Sequence, residues 1–161
     1  MEGYREYDIL AGNIVLGNYS FLKILLRDEW VVKPSGIPPE IYYTSTNRGY
    51  RYVLEGLYTG YLVNSIDNTT LLINISVKRG LAKETIIDKR GEYGEKTVNG
   101  HKMIYLLGEE IKGLIRRRKV YYVEASINCS ETNRHIKIRL ESTDKQSLRD
   151  IFRDIGIICH P

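Results

Sequence analysis

The stretch YTGYLVNSIDNTTLLINISVK, residues 58–78, decides the fold class. Its second half places Leu71, Ile73, Ile75 and Val77 at every other position, with Leu72, Asn74, Ser76 and Lys78 between them. A period of two sends successive side chains to opposite faces of a strand, so this segment offers one apolar face to a core and a mostly polar face to solvent. Tyr58–Ile66 is equally rich in β-formers, and Asp67-Asn68-Thr69 supplies turn residues between the two runs. The pair is expected as an antiparallel hairpin with Leu71, Ile73, Ile75 and Val77 inside.

The same reasoning extends outward. Asn99-Gly100, between Thr97-Val98 and Met103–Leu107, is a strong two-residue hairpin signal, because both residues tolerate positive φ. Val120–Asn128 and His135–Leu140 form another pair, with Ile136, Ile138 and Leu140 alternating with Lys137, Arg139 and Glu141. Leu148, Ile151, Phe152 and Ile155 fall at helical spacing, which predicts a C-terminal amphipathic helix with Thr143 and Gln146 as a capping box and Gly156 as its stop. Less periodic stretches read as short strands at Phe21–Leu26, Trp30–Lys33 and Ile41–Tyr43, a short strand or arm over Tyr4–Leu16, and a helix over Leu81–Lys89. The expected class is α+β: an antiparallel β-sheet with helices packed on its faces. No Gly/Ser-rich or Pro-rich linker divides the chain, so residues 1–161 are expected as a single domain with 1–18 as an N-terminal strand or arm.

Composition narrows the class further. The 161 residues are 42% hydrophobic and 27% charged, which is ordinary for a globular domain and excludes a disordered or collagen-like chain. No run reaches the roughly 18–20 apolar residues of a membrane-spanning helix, and Glu2, Arg5, Glu6 and Asp8 do not fit a secretory signal, so a cytoplasmic location is expected. Thirteen Tyr stand against two Phe, with abundant Ile and Lys and a single Gln. Few thermolabile amides and many charges predict a thermophilic, archaeal source, although an AT-rich genome also raises Ile, Lys and Tyr. The net charge of +4 is a mild basic excess.

The order of features over residues 20–158 resembles the Mog1/PsbP-like family: a Trp-containing loop (Asp28-Glu29-Trp30), a strand ending in Val77-Lys78-Arg79, the hairpin Val98-Asn99-Gly100-His101-Lys102, two long strands and a C-terminal helix. The resemblance implies an α-β-α sandwich around an antiparallel sheet and an adaptor or accessory role without shared catalytic residues. The N-terminal arm and the basic insertion around 109–119 depart from that pattern.

Candidate chemistry is sparse. The sequence holds no GxSxG, P-loop, GxGxxG or HExxH motif. His101, His135 and His160 lack a partner at a telling spacing, so surface or structural roles outweigh general-base catalysis. Cys129 and Cys159, with these histidines, have ligand chemistry for zinc, but no CxxC-type pair is present and adjacent Cys159-His160 would face apart on a strand. A Cys129–Cys159 disulfide is the stronger expectation, beside two buried free thiols. It would close about 30 residues and stabilise by roughly 3–4 kcal/mol in the loop-entropy model. Lys112, Arg116, Arg117, Arg118 and Lys119, followed by Tyr121 and Tyr122, form a basic patch that could track phosphates and stack bases, or simply be a solvated rim partly neutralised by Glu109 and Glu110. Sequons occur at Asn18, Asn68, Asn74 and Asn128; glycans on them would require export, and at Asn74 and Asn128, inside expected strands, Asn and Thr on a solvent face explain the pattern more simply.

The expected function is therefore a non-enzymatic binding or adaptor domain without a cofactor, contacting a protein partner through loops or a Tyr-rich sheet face. The alternative is a nucleic-acid-binding module using residues 112–119. A small enzyme would need a cleft containing His101 or His135.

Overall fold

The two-residue alternation extends into strands well beyond the segments where it is obvious. In the computed structural model, which describes residues 3–13, 17–36, 40–45, 52–81 and 91–159, the chain runs through β1 (Tyr4–Asn13), β2 (Gly17–Arg27), β3 (Trp30–Pro34), β4 (Glu40–Ser45), β5 (Tyr52–Asn64) and β6 (Thr70–Arg79). It continues through β7 (Glu92–Val98), β8 (His101–Lys112), β9 (Arg118–Cys129), β10 (Arg134–Ser142), α1 (Lys145–Asp154) and β11 (Gly156–Ile158). All pairings are antiparallel. One sheet has the order β1-β2-β11; the larger runs β3-β5-β6-β10-β9-β8-β7, with β4 also on β5.

The hairpins read from sequence are present. β5 pairs with β6 in the register Leu62↔Leu71, Gly60↔Ile73, Tyr58↔Ile75, and the turn passes through Asn68 at φ 61°. Asn99 and Gly100, at φ 51° and 79°, join β7 to β8. Leu71, Ile73, Ile75 and Val77 are buried, as are Ile136, Ile138 and Leu140 of β10 and Val123, Ala125 and Ile127 of β9. Ile9, Leu22, Ile24, Leu26 and Ile157 of the smaller sheet join the same core.

The expected α+β class, with helices on the sheet faces, is not what the chain adopts, and neither is the α-β-α sandwich that the Mog1/PsbP resemblance implies. Both sheets are antiparallel, and α1 is the single helix among the described residues. The reason lies in the N-terminal third. Tyr4–Asn13 is half of a long hairpin with β2, and its register shifts between Ile9 and Leu10, which interrupts the alternation that would have made it legible. That hairpin, with β11, supplies the apolar cover for the larger sheet that a helical layer would otherwise provide. The helix expected over Leu81–Lys89 lies, but for Leu81, outside the described residues.

The helix α1 buries Leu148 and Ile151, and Ile155 just beyond it, while Phe152 meets Tyr105 edge-on at 4.8 Å. Its N-cap is Asp144, one residue later than the expected Thr143: the carboxylate accepts from the Gln146 backbone N–H and from the Ser147 hydroxyl. Gly156 does not form a left-handed stop. Ile155 is already extended, and Gly156 opens β11. Lys96 of β7 closes the helix instead, donating from Nζ to the Phe152 carbonyl at 2.7 Å, where the helix dipole favours a cation.

Ile73 is fully buried, opposite Gly60 on one side and Leu140 on the other. Ile73→Ala should cost on the order of 2–5 kcal/mol by urea unfolding. A loss under about 1 kcal/mol would mean that this face is not the core.

Candidate functional site

The register of β8 and β9 creates a projecting ribbon. The two strands pair from Met103↔Ile127 to Lys112↔Arg118, but β7 accompanies β8 only as far as Leu107, and β10 accompanies β9 only as far as Tyr121. Beyond those points the ribbon has no lateral strand among the described residues. Its loop, residues 113–117, turns at Gly113 with φ 107°, where a Cβ would collide with the Arg116 carbonyl, so only glycine fits. Leu114 and Ile115 sit at the tip, 100% and 97% exposed, with Ile111 at 64% behind them.

The base of the ribbon is an ion network on the outer face of the larger sheet. Arg139 of β10 donates from Nε to Glu141 at 2.7 Å, from Nη2 to Glu110 at 2.7 Å and from Nη1 to Glu124 at 2.5 Å. Its guanidinium lies 4.3 Å from the centre of the Tyr122 ring. Lys112 joins from β8, with Nζ 3.0 and 2.9 Å from the two Glu141 oxygens and 3.5 Å from Glu110. Burial opposes the charge of Arg139, but hydrogen bonds and charge from Glu141, Glu110 and Glu124 outweigh it and raise its pKa. Burial likewise works against the Glu141 carboxylate, and the hydrogen bonds from Lys112 and Arg139 overcome it, holding the group below its ordinary 4.5.

This network divides the basic patch expected over residues 112–119. Lys112 is committed to Glu141 and Glu110, and Lys119 lies 3.8 Å from Glu109. Arg116, Arg117 and Arg118 form no ion pair among the described residues, and all three are exposed. The two aromatics expected beside them are withdrawn. Tyr122 is buried under Arg139, and Tyr121 is half-buried, with Lys145 over its ring at 5.8 Å.

The histidines separate. His135 is buried on the outer face, where Nδ1 donates to Asn128 Oδ1 at 2.9 Å and Nε2 accepts from the Ser126 hydroxyl at 3.1 Å. An amide oxygen can only accept, which fixes this tautomer. Burial, then the charges of Lys137 and Lys78, lower its pKa, so the ring is neutral at pH 7. Ser, His and Asn in this order share the connectivity of hydrolytic triads, but they lie along the sheet face, outside two surface hollows of about 260 and 330 Å³. His101 opens β8 on the inner side, away from His135, and His160 lies outside the described residues.

Cys129 and Cys159 do meet. β11 returns the chain along β2, Ile157 opposite Ile24, and delivers Cys159 to the end of β9. The Cys159 thiol donates to the Cys129 sulfur at 2.9 Å, and both residues are buried free thiols. Burial and the neighbouring Cys129 push the Cys159 thiol up to about 12. The expected proximity holds, with two thiols in contact instead of a covalent bond.

Sequence reasoning missed the Arg139 network. The alternation placed Arg139 and Glu141 outward, but Glu110 and Lys112 reach them only because the ribbon extends past its neighbours.

The lowered pKa of Glu141 fixes the sign of a pH effect. A carboxyl held below its unfolded value stabilises the fold fully above that value, and the contribution is lost as pH falls through the folded-state pKa. Glu141→Gln should therefore cost about 1–3 kcal/mol at pH 7, and its difference from the parent protein should shrink below about pH 4. Urea midpoints measured from pH 7 to pH 3 test this; a pH-independent difference would place the cost in packing.

Comparison of the chain with protein-family models, with curated proteins and with solved structures gives no match, so the site is read from its own geometry.

Proposed function

We propose that the protein is a non-enzymatic binding domain whose docking element is the tip of the β8–β9 ribbon, and that its partner is a protein presenting an apolar groove rimmed by carboxylates. The observation that carries this reading is the pairing of two fully exposed aliphatic side chains, Leu114 and Ile115, with three adjacent cations that have no ion-pair partner among the described residues. Isolated exposed aliphatics are common, but here they crown a ribbon that projects beyond its neighbouring strands from an ion-paired base. Burying Leu114 and Ile115 in a groove would be worth roughly 1.5–3 kcal/mol each, and Arg116–Arg118 would orient the encounter and exclude basic surfaces.

Nucleic acid is the second reading, supported by the same three arginines. It loses support because Tyr121 and Tyr122 are folded into the sheet and leave no aromatic platform for bases.

A photo-reactive residue at Leu114, compared with one at exposed Ile66 on the β5–β6 turn, tests the reading in cells of the source organism. A discrete protein adduct from position 114, absent from 66, resistant to nuclease and lost on reversing Arg116–Arg118 to Glu, is the expected result. A nuclease-sensitive adduct, with affinity for generic nucleic acid falling linearly in log–log salt plots, would establish the second reading. Equal labelling from both positions would refute the first. Leu114→Ser with Ile115→Ser should change stability by less than about 0.5 kcal/mol, since neither side chain is buried.

A further inference from the structure

At the opposite end of β8 and β9 from the ribbon tip, three elements distant in sequence converge on one point. His101 begins β8, Cys129 ends β9, and Cys159 follows β11 in the other sheet. The His101 Nε2 and both sulfurs all lie within 4.8 Å of one another. The sulfurs are 2.9 Å apart, and Nε2 is 3.9 Å from the Cys129 sulfur. Glu131, in the β9–β10 turn, brings Oε2 to 2.6 Å from the same ring nitrogen.

We propose that His101, Cys129 and Cys159 form a binding site for a thiophilic divalent cation of the zinc class, with Glu131 or a water as fourth ligand, and that the bound ion staples the two sheets together.

The ligand chemistry is the first support. Two thiolates and an imidazole suit zinc, which takes tetrahedral sulfur and nitrogen donors at about 2.3 and 2.0 Å. A tetrahedral site with those bond lengths sets the sulfurs about 3.8 Å apart and each about 3.5 Å from the nitrogen. The sulfurs would separate by about 1 Å, and the ring nitrogen, 3.9 Å from the Cys129 sulfur and within 4.8 Å of the Cys159 sulfur, would close on both by about 1 Å. Burial of both cysteines matches a closed structural site.

A second support is electrostatic. Arg134 stands directly opposite Cys129 in the β9–β10 ladder, so it shares the inner face, and its Nε is buried with no hydrogen-bond partner among the described residues. When an ion binds, each thiol releases its proton to solvent, and the resulting thiolates supply the negative charge beside this guanidinium. A third feature is Asn99, whose Nδ2 donates to the Cys159 sulfur at 3.6 Å, a contact of the kind that orients and tunes metal-bound thiolates.

Cobalt(II) titration of the full, reduced chain without oxygen tests the site, because cobalt reports tetrahedral thiolate ligation by its visible and near-ultraviolet bands. One equivalent should bind, show thiolate-to-cobalt charge transfer, and be displaced by zinc. Zinc at a hundredfold excess over its dissociation constant should raise the melting temperature by roughly 5–10 °C. Cys159→Ser should abolish charge transfer from that sulfur, and His101→Asn should weaken binding at least tenfold. Asn99→Gly, which keeps the positive-φ turn, should weaken it about 10–100-fold. His135→Asn should leave the titration unchanged. Should a cysteine variant fail to fold, His101→Asn and Asn99→Gly carry the test. Absence of charge transfer in the reduced chain overturns the proposal. So does a native protein two mass units light with no thiol open to alkylation under denaturing conditions, because the pair would then be a disulfide.

Discussion

The register of β10 against its two neighbours is the constraint on which the rest of the structure depends. Ile136 lies opposite Val77 of β6 and Ile127 of β9, Ile138 opposite Ile75 and Ala125, and Leu140 opposite Ile73 and Val123. Nine apolar side chains thus form one inward stripe across three strands. Slipping β10 by one residue would turn Lys137, Arg139 and Glu141 into the core and all three aliphatics out to water. Burying three unpaired charges would cost far more than the hairpin turns could offset, so the register is fixed by the core.

The outer face inherits its chemistry from that same register. It sets Arg139 between Asn74 and Glu124, Glu141 beside Tyr122, and His135 beside Asn128 and Lys78. The Arg139 network, the neutral His135 and the placement of Arg134 opposite Cys129 are therefore consequences of packing on the other side of the sheet. Charge balance follows position along β8 and β9. Just past the last residue of β9 that β10 flanks, Glu110 and Lys112 still reach Arg139 and Glu141 on that strand. Farther out, Arg116, Arg117 and Arg118 have no neighbouring strand among the described residues to supply carboxylates. Among those residues their lack of ion pairs follows from a hairpin longer than the strands flanking it.

Legibility in the sequence tracks how local each constraint is. The β5–β6 and β7–β8 hairpins and the β9–β10 pair were readable, because alternation and the Asn99-Gly100 turn act over a few residues. The face of α1 was readable for the same reason, and its cap was misplaced by one residue because Thr143 and Asp144 both have capping side chains. The balance of helix and strand was not readable. It depended on the β1–β2 hairpin, whose Gly and Asn residues and register shift near Ile9 hide the period, and on whether a second sheet or a layer of helices covers the first. The basic run 112–119 was visible as a patch, but its division into paired lysines and unpaired arginines required the positions of Glu109, Glu110 and Glu141.

The cysteine–histidine cluster is the extreme case. His101, Cys129 and Cys159 are separated by 28 and 30 residues, and no spacing rule for metal sites spans such gaps. What unites them is tertiary. The β7–β8 turn and the β9–β10 turn lie at the same end of the larger sheet, and β11 ends there after pairing with β2. The two sheets meet at this point through β11, which is only three residues long. Apolar contact alone can hold that end, as the burial of Ile157 and Cys159 shows. It gives no reason for a histidine to meet the two thiols, nor for a buried guanidinium nitrogen beside them to lack an acceptor among the described residues. Those polar groups are costly in a purely apolar seam and consistent with one built to take up a cation as two thiols lose their protons.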